Sequence, residues 1–382
     1  MNSFSFTIPQ NIVVGAGSLK RLPELAKNLK KSKAYIISGP HLEKIGMVDK
    51  CREALKVAGI ESDAFTQTEG NPSTDTVAKA AEGFKSSNAD FIVAFGGGSP
   101  LDVAKAVAVI ASYGGNITDY EGGGKVPGAV VPMIAIPTTA GTGSEVTAFS
   151  VITDHSRNYK LTVVSNYLLP AYAILDPELI TTVPKSTAAA CGIDAMVHAL
   201  EAFISKAASP FSDLFAKEAL RLIGTSIRDY VLDRSNLAAC EAMLTGSLFA
   251  GIAFSHARLG DVHAMSHPVS AYFDVAHGVA NAVLLPTIVD YNMTYASEKY
   301  KYIYDCICEK PLSDDAFTPE MLAAEIRVLN DELGIPSSLS EVGVDSSLFD
   351  KMADDAMKSG NILVNPRPTT KKDILALYAQ AF

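Results

Sequence analysis

Asp194 and His198 stand four residues apart in Gly192-Ile193-Asp194-Ala195-Met196-Val197-His198, a run that reads as helix. Side chains four apart on a helix project from one face. Their neighbours Ala195, Met196, Val197, Ala199 and Leu200 are apolar, and ionisable groups rarely sit unpartnered on such a face. Further along come His263, His267 and His277, the first two again four apart. Four of the seven histidines thus fall in apolar, glycine-flanked stretches. Singly, each is an ordinary helix aspartate or a satisfied imidazole. Together, a carboxylate and an imidazole with further imidazoles converging can hold one divalent cation. The donor set lacks a thiolate and suits Fe(II), Zn(II), Ni(II) or Mn(II) without choosing among them. Such a centre with an open position polarises an alcohol or carbonyl oxygen, which suits hydride transfer to an adjacent nicotinamide.

A second group of residues could bind phosphate. Gly96-Gly97-Gly98-Ser99-Pro100 follows the apolar run Asp90–Phe95 and precedes a helical pattern over Leu101–Tyr113. Glycines let a ligand approach the backbone, and proline suits a first helical turn. The free N–H groups and helix dipole there favour an anion such as a pyrophosphate. Leu101 stands where the ordinary G-x-G-x-x-G fingerprint needs Gly or Ala, so that fingerprint is absent. A further turn, Pro137-Thr138-Thr139-Ala140-Gly141-Thr142-Gly143-Ser144-Glu145-Val146-Thr147, follows the next strand pattern. Read alone it is a hydrophilic loop with a helix cap; beside the glycine loop it reads as the other wall of a nucleotide crevice.

The elements that must carry these groups divide the chain in two. In the first half, apolar runs at Ala34–Ser38, Asp90–Phe95 and Val131–Ile136 read as buried strands, alternating with helical patterns at Ser73–Ser86 and Leu101–Tyr113. That alternation predicts a parallel sheet covered on both faces. From Lys185 onward strand signals almost vanish. Amphipathic stretches at Ser186–Ser205, Pro210–Leu232, Leu237–His256, Val279–Met293, Pro319–Leu333 and Lys371–Ala381 predict a helical domain. Prolines between Asp176 and Pro184 mark the boundary. We therefore expect a Rossmann-like α/β domain over 1–183 and an all-helical domain over 184–382, consistent with a chain of 382 residues.

Composition excludes several classes. A formal net charge of -10 argues against a nucleic-acid surface and an anionic membrane face. No uninterrupted apolar run approaches the roughly 18 residues needed to span a bilayer. Met1–Gln10 has neither a basic region nor a long apolar core, so a secretory signal is not expected. The cysteines Cys51, Cys191, Cys240, Cys306 and Cys308 are odd in number and scattered. Reduced thiols in a cytoplasmic protein are the simpler reading. Cys306 and Cys308 form a C-x-C, a spacing that more often packs on a helix than binds metal. Apolar helical surfaces lead us to expect a homodimer or higher homo-oligomer.

Six motifs then carry a resemblance over essentially the whole chain: GGGSPLDVAK (96–105), PTTAGTGSEVT (137–147), DPELI (176–180), GIDAMVHALEAF (192–203), ARLGDVHAMSHPVSAYFDVAHGVANAVLLP (257–286) and NPRPTT (365–370). The chain resembles the iron-dependent (group III) alcohol dehydrogenases, including lactaldehyde reductases and propanediol dehydrogenases. The resemblance implies a dinucleotide-binding α/β domain, a helical domain and an active site in the cleft between them. It implies metal ligation by Asp194, His198, His263 and His277, with His267 beside the metal handling substrate or proton. It also implies pyrophosphate contacts at Gly97, Gly98 and Ser99. Other cofactor contacts follow at Asp102, Thr138, Thr139, Thr142, Thr147, Lys160 and Leu179, with Asn71 near the adenosine. The implied reaction is reversible hydride transfer between NAD(P)(H) and a small aldehyde or primary alcohol, with Fe(2+) as the metal.

Departures from the pattern matter. Ser38-Gly39-Pro40 replaces an aspartate that many relatives carry after the second strand. Gly39 removes its repulsion of a 2′-phosphate and leaves NADP(H) open. No arginine or lysine stands immediately beside it, so NAD(H) is the expectation. Phe149 replaces an asparagine, and that contact is not carried over. Phe254 and Arg258, one turn apart before His263, are candidate substrate residues. Arg258 could recognise an anionic aldehyde bearing a sulfonate or carboxylate, or form a salt bridge. Two other classes compete: a non-redox, dehydroquinate synthase-like lyase and an inactive metal-binding assembly protein. The first would use a different ligand set and a more basic phosphate pocket, so the local motif match argues against it; the intact ligand and glycine-loop residues argue against the second.

Overall fold

The computed structural model describes Phe6, Ile8 and residues 11–382. It resolves into two compact units. One comprises Ile8–Thr139 and Ser144–Thr181; the other gathers Ala140–Gly143 and Thr182–Phe382.

The first unit is built on strands β1 (Asn11–Val14), β2 (Lys33–Ile37), β3 (Glu61–Phe65), β4 (Phe91–Gly96), β5 (Gly122–Gly123), β6 (Met133–Pro137), β7 (Phe149–Asp154), β8 (Tyr159–Val164) and β9 (Tyr172–Leu175). Its helices are α1 (Leu22–Asn28), α2 (Pro40–Lys44), α3 (Met47–Val57), α4 (Thr74–Ser87) and α5 (Gly98–Tyr113). Six strands form one sheet in the order β1-β9-β6-β4-β2-β3, with every neighbouring pair parallel. Alternate side chains serve opposite faces. Ile92 and Ala94 join Val77, Phe84 and Val107 in one core, while Phe91, Val93 and Phe95 join Leu22, Cys51 and Leu55 in the other. Both faces are buried, which is why β4 is apolar throughout.

The chain leaves β2 outward to β3, then returns to β4 on the other side and continues through β6 to β9. The sheet thus reverses direction between β2 and β4. In open α/β sheets ligands bind beyond the strand ends at such a switch. Gly39 follows one strand and Gly97 the other. Gly96 pairs with Pro137 across β4 and β6, so both loops marked for phosphate leave neighbouring strand ends.

The parallel sheet and its three apolar strands agree with the sequence reading to within two residues. One feature differs. A second sheet, β5-β8-β7, contains an antiparallel β7–β8 pair. Strands β7 and β8 mix buried with partly buried positions and polar with apolar residues, so no continuous hydrophobic run announces them.

The second unit has no strand among its described residues. It contains α6 (Lys185–Ile204), α7 (Pro210–Leu232), α8 (Leu237–Ala257), α9 (Asp261–Phe273), α10 (His277–Ile307), α11 (Glu320–Leu333), α12 (Phe349–Lys358) and α13 (Lys371–Gln380). Helix α10 runs well past the expected Met293 and holds Pro286 inside it. Helices α6 and α8 are long and apolar enough to cross a bilayer by length and composition, yet both are mostly buried in this unit. No uninterrupted apolar run is present in either, because Asp194, His198 and Glu201 interrupt α6 and Glu241 interrupts α8. All five cysteines are free thiols, and burial pushes Cys306 at the end of α10 up to about 11.

Glycines set how closely these helices pack. A β-carbon on Gly246 of α8 would stand 2.7 Å from Ile223 Cγ1 of α7. One on Gly224 of α7 would strike the Cys306 carbonyl of α10. Backbone cannot yield as a flexible side chain can. Gly224→Ala is therefore expected to destabilise the protein by about 2 kcal/mol, read as a lower urea midpoint. An unchanged midpoint would mean that α7 and α10 can separate freely.

Candidate metal centre and nucleotide loops

Helix α6 presents Asp194 and His198, α9 presents His263 and His267, and α10 begins with His277. Asp194 Oδ1 lies 3.7 Å from His198 Nε2, 3.7 Å from His263 Nε2 and 3.8 Å from His277 Nε2. Donor atoms of Asp194, His263 and His277 fall within 4.8 Å of one another. His198 joins through Asp194, and its ring stacks on His263 at 4.6 Å between centroids. Asp194, His198 and His263 are buried. His267 stands beside the cluster, its ring 5.3 Å from that of His277 and 6.2 Å from that of His263.

Two imidazoles are oriented from behind. His198 Nδ1 is 3.3 Å from the Gly141 carbonyl, and His263 Nδ1 is 2.6 Å from Glu201 Oε2. Both partners accept, so each Nδ1 carries a hydrogen and each Nε2 is the nitrogen left to meet a proton or a cation beside Asp194. Asn281, one turn after His277, brings Nδ2 to 2.6 Å from Asp194 Oδ1 and 3.2 Å from Nε2 of both His263 and His277. An amide nitrogen has two hydrogens for those three acceptors. Ring nitrogens and a carboxylate oxygen converge there, and a divalent cation fits such a donor set.

The electrostatics agree. Burial alone would raise Asp194, but His198, His277 and His263 together hold it well below the usual carboxylate range. Burial pushes His198 down to about 4, leaving it neutral at pH 7. Burial also opposes charge on His263, yet Asp194 and Glu201 outweigh it and lift that imidazole to about 9. A proton and a metal ion compete for that nitrogen.

Of the substrate candidates, Phe254 lies close to this centre. It is buried and stacks on His198 at 4.5 Å. Arg258 follows at the end of α8 with φ 62°, which turns it off the helix face that carries Phe254. It is exposed, its guanidinium packs over Gly360, and it forms no ion pair among the described residues. The expected salt bridge is not found there.

The residues marked for cofactor binding are brought together only in part. Gly97 is the N-cap of α5, and Gly98 and Ser99 open the helix, all three partly accessible. A β-carbon on Gly97 would stand 3.2 Å from Thr139 Oγ1, so these two loops touch. Lys160 Nζ donates to Asn71 Oδ1 at 2.8 Å, joining two positions 89 residues apart. Asp102 is occupied within the sheet unit: Oδ1 accepts from Ser144 Oγ at 2.6 Å and Oδ2 from the Val151 amide at 3.1 Å. Thr138, Thr147 and Leu179 are buried, the last in the core with Ile36 and Phe95. Thr142 lies in Ala140–Gly143, which belongs to the helical unit, where a β-carbon on Gly141 would meet Cys191 Cβ at 2.9 Å. Gly39 is extended at the start of α2, and a β-carbon there would stand 3.2 Å from the Thr68 carbonyl.

Residues 9–177 match the family model described as iron-containing alcohol dehydrogenase, and residues 188–382 match the Fe-containing alcohol dehydrogenase family, C-terminal. The chain belongs to the iron-containing alcohol dehydrogenase family. It is 39% identical to the 1,3-propanediol dehydrogenase of Citrobacter freundii over 99% of both chains. It is 34% identical to the NAD-dependent methanol dehydrogenase of Bacillus methanolicus, again over 99% of both. The crystal structure of a 1,3-propanediol oxidoreductase superimposes over 100% of both chains with a TM-score of 0.94 at 38% identity. The chain is thus an oxidoreductase of the alcohol dehydrogenase type, with the α/β and helical architecture of that family.

Sequence reasoning missed Glu201, Asn281, Gly141 and Lys105. Glu201 repeats the signal that exposed Asp194, an acid on an apolar helix three residues after His198. Asn281 sits one turn after His277. Gly141 was read as loop. Lys105 carried no signal beyond its place in the GGGSPLDVAK motif. It is fully buried and donates to Ser144 Oγ (2.8 Å), the Thr147 carbonyl (2.9 Å) and hydroxyl (3.1 Å) and the Phe149 carbonyl (2.7 Å). It ties α5 to the 144–149 turn. Burial lowers Lys105 to about 8 and raises Glu145 beside it to about 7.

Between pH 4.5 and 7 the folded chain keeps a proton on Glu145 that the unfolded chain has lost, whereas Lys105 is charged in both states. Stability supplied by that bound proton is therefore lost as pH rises through this window, by up to about 3 kcal/mol. Glu145→Gln should remove this slope. Urea unfolding at pH 5 and pH 7.5 checks it: the variant is expected to gain on the wild type at the higher pH, and equal slopes would contradict the assignment.

Proposed function

We propose that this enzyme catalyses reversible hydride transfer between NAD(H) and a small neutral aldehyde or primary alcohol at a single iron. The observation that carries the reading is the buried Asp194–His198–His263–His277 cluster, with two of its imidazoles fixed to aim Nε2 inward. Those four residues would hold Fe(2+), which supplies Lewis-acid polarisation of the alcohol or aldehyde oxygen. NAD(H), held at the glycine loop, would supply the acceptor or donor of the hydride.

The rest is done by the protein's own side chains. Gly97, Gly98 and Ser99 bind the pyrophosphate with backbone N–H groups at the start of α5. Thr139 packs against that turn, and the joined Asn71 and Lys160 serve the adenosine side. Phe254 walls the His198 ring and keeps water from that side. His267, half-buried beside the cluster, takes the alcohol proton and returns it in reduction. The anionic-aldehyde alternative rests on Arg258 alone, whose guanidinium packs over Gly360; a neutral substrate needs no such residue. We further propose a cytoplasmic homo-oligomer.

An anaerobic, Fe(II)-loaded sample assayed over short neutral and acidic aldehydes tests the reading. Absence of aldehyde-dependent NADH oxidation would refute it. Asp194→Ala is expected to lose bound iron and at least 99% of activity together, by metal analysis and rate; this follows because truncation leaves imidazoles without their shared anion. For the cofactor, kcat/KM should be higher with NADH than with NADPH. Gly39 does not repel a 2′-phosphate, but no adjacent cation attracts it. Equal or better efficiency with NADPH would reverse that preference.

A further inference from the structure

Glu201 is a buried carboxylate on α6 with work for both oxygens. Oε2 faces His263 Nδ1 at 2.6 Å, and Oε1 accepts from the Val262 backbone amide at 2.7 Å. Val262 is the second residue of α9, and the first amides of a helix have no intrahelical acceptor. Gly260, at the N-cap, has no side chain to serve them. A β-carbon there would stand 2.9 Å from Asn365 Oδ1 and 3.0 Å from Glu201 Oε1. Asn365 Oδ1 accepts from the Asp261 amide at 3.3 Å. The start of α9 is therefore capped from outside, by a carboxylate of α6 and an amide of the 362–370 segment.

We propose that Glu201 is a positioning residue for the metal centre: one carboxylate sets the tautomer of His263 and fixes the end of the helix that carries it. This rests on the reading that His263 holds the metal. A carboxylate offers only acceptors, and Val262 N–H can only donate. Glu201 thus forces the hydrogen onto His263 Nδ1 and leaves Nε2 free for a cation. Because the same group holds the helix start, ring orientation and helix position cannot drift apart.

An amide cannot do both jobs. If Gln at this position turns its oxygen to Val262, its NH2 meets His263 Nδ1. The imidazole must then accept there and carry its hydrogen on Nε2, where it blocks ligation. If the amide turns over, its NH2 opposes the Val262 N–H. Glu201→Asp keeps two acceptors on a shorter stem.

The test is Co(II) titration of the metal-free protein, followed by its visible spectrum, with NADH binding measured in parallel. Glu201→Gln is expected to bind Co(II) roughly 10- to 100-fold more weakly, with NADH affinity and the melting temperature of the metal-free protein little changed. In the metal-free wild type, nitrogen-15 shifts should show both ring nitrogens of His263 protonated at neutral pH, with Nδ1 keeping its hydrogen when alkali removes the one on Nε2; in the variant, Nε2 should keep it. Unchanged Co(II) affinity in Glu201→Gln, with binding lost in His263→Ala, would overturn this proposal and leave the metal reading standing. Unchanged affinity in His263→Ala would overturn the metal reading itself. If Glu201→Gln does not fold, Glu201→Asp decides. A weakened Co(II) affinity with unchanged NADH binding supports the role; wild-type affinity rejects it.

Discussion

A carboxylate cut off from water must be met by donors or positive charge, and Asp194 organises the helical unit around that requirement. Its Oδ1 is approached by three imidazoles and one amide, delivered by α6, α9 and α10. An isolated charge in that position would cost several kcal/mol. Other features of the unit serve the convergence. Gly278 lets the start of α10 reach the Ala190 carbonyl of α6, which brings His277 beside Asp194; any side chain there would strike that backbone. Gly192 does the same for α7 and α8, with Ile227 Cδ1 only 3.0 Å from where a β-carbon would sit.

The sheet unit meets a different constraint. Under the proposed function its useful atoms are backbone N–H groups at strand ends, which must stay accessible while the loops that carry them are held still. Glycines provide the access. Lys105 supplies the hold by spending its ammonium group on the 144–149 turn. Asp102 faces the same turn through Ser144 and Val151. A buried lysine with four acceptors is a stiff tie, because removing any partner leaves a charge poorly solvated.

Much of this was legible in the residues. The apolar runs of β2, β4 and β6 stand out because both faces of the sheet are covered. Asp194 and His198 stand out because polar groups four apart on an apolar helix demand a shared cause. What escaped was information carried by geometry. The β7–β8 pair mixes polar with apolar residues and lacks a continuous hydrophobic run. Arg258 reads as one helical turn beyond Phe254, yet a left-handed backbone at that position ends the helix and sends it elsewhere. Glu201 carried the same signal as Asp194, but nothing in its spacing says that it faces the back of an imidazole rather than a metal. That distinction depends on which side of α6 meets the start of α9.

The two oriented imidazoles differ in what meets them in front and behind. His198 and His263 are both buried, stack on each other and share Asp194. Burial depresses both. His198, backed by the neutral Gly141 carbonyl, is pushed down to about 4, whereas His263, held by Asp194 in front and the Glu201 carboxylate behind, is drawn up to about 9. Charge placed behind a ring raises the basicity of the nitrogen in front of it. The chain therefore offers a cation one weakly and one strongly basic imidazole from the same stack. The helix that supplies Asp194 also supplies Glu201, so α6 places one carboxylate at the donor cluster and another behind the more basic of the two stacked imidazoles. A single helix thus sets both the charge of the centre and the balance between two of its donors.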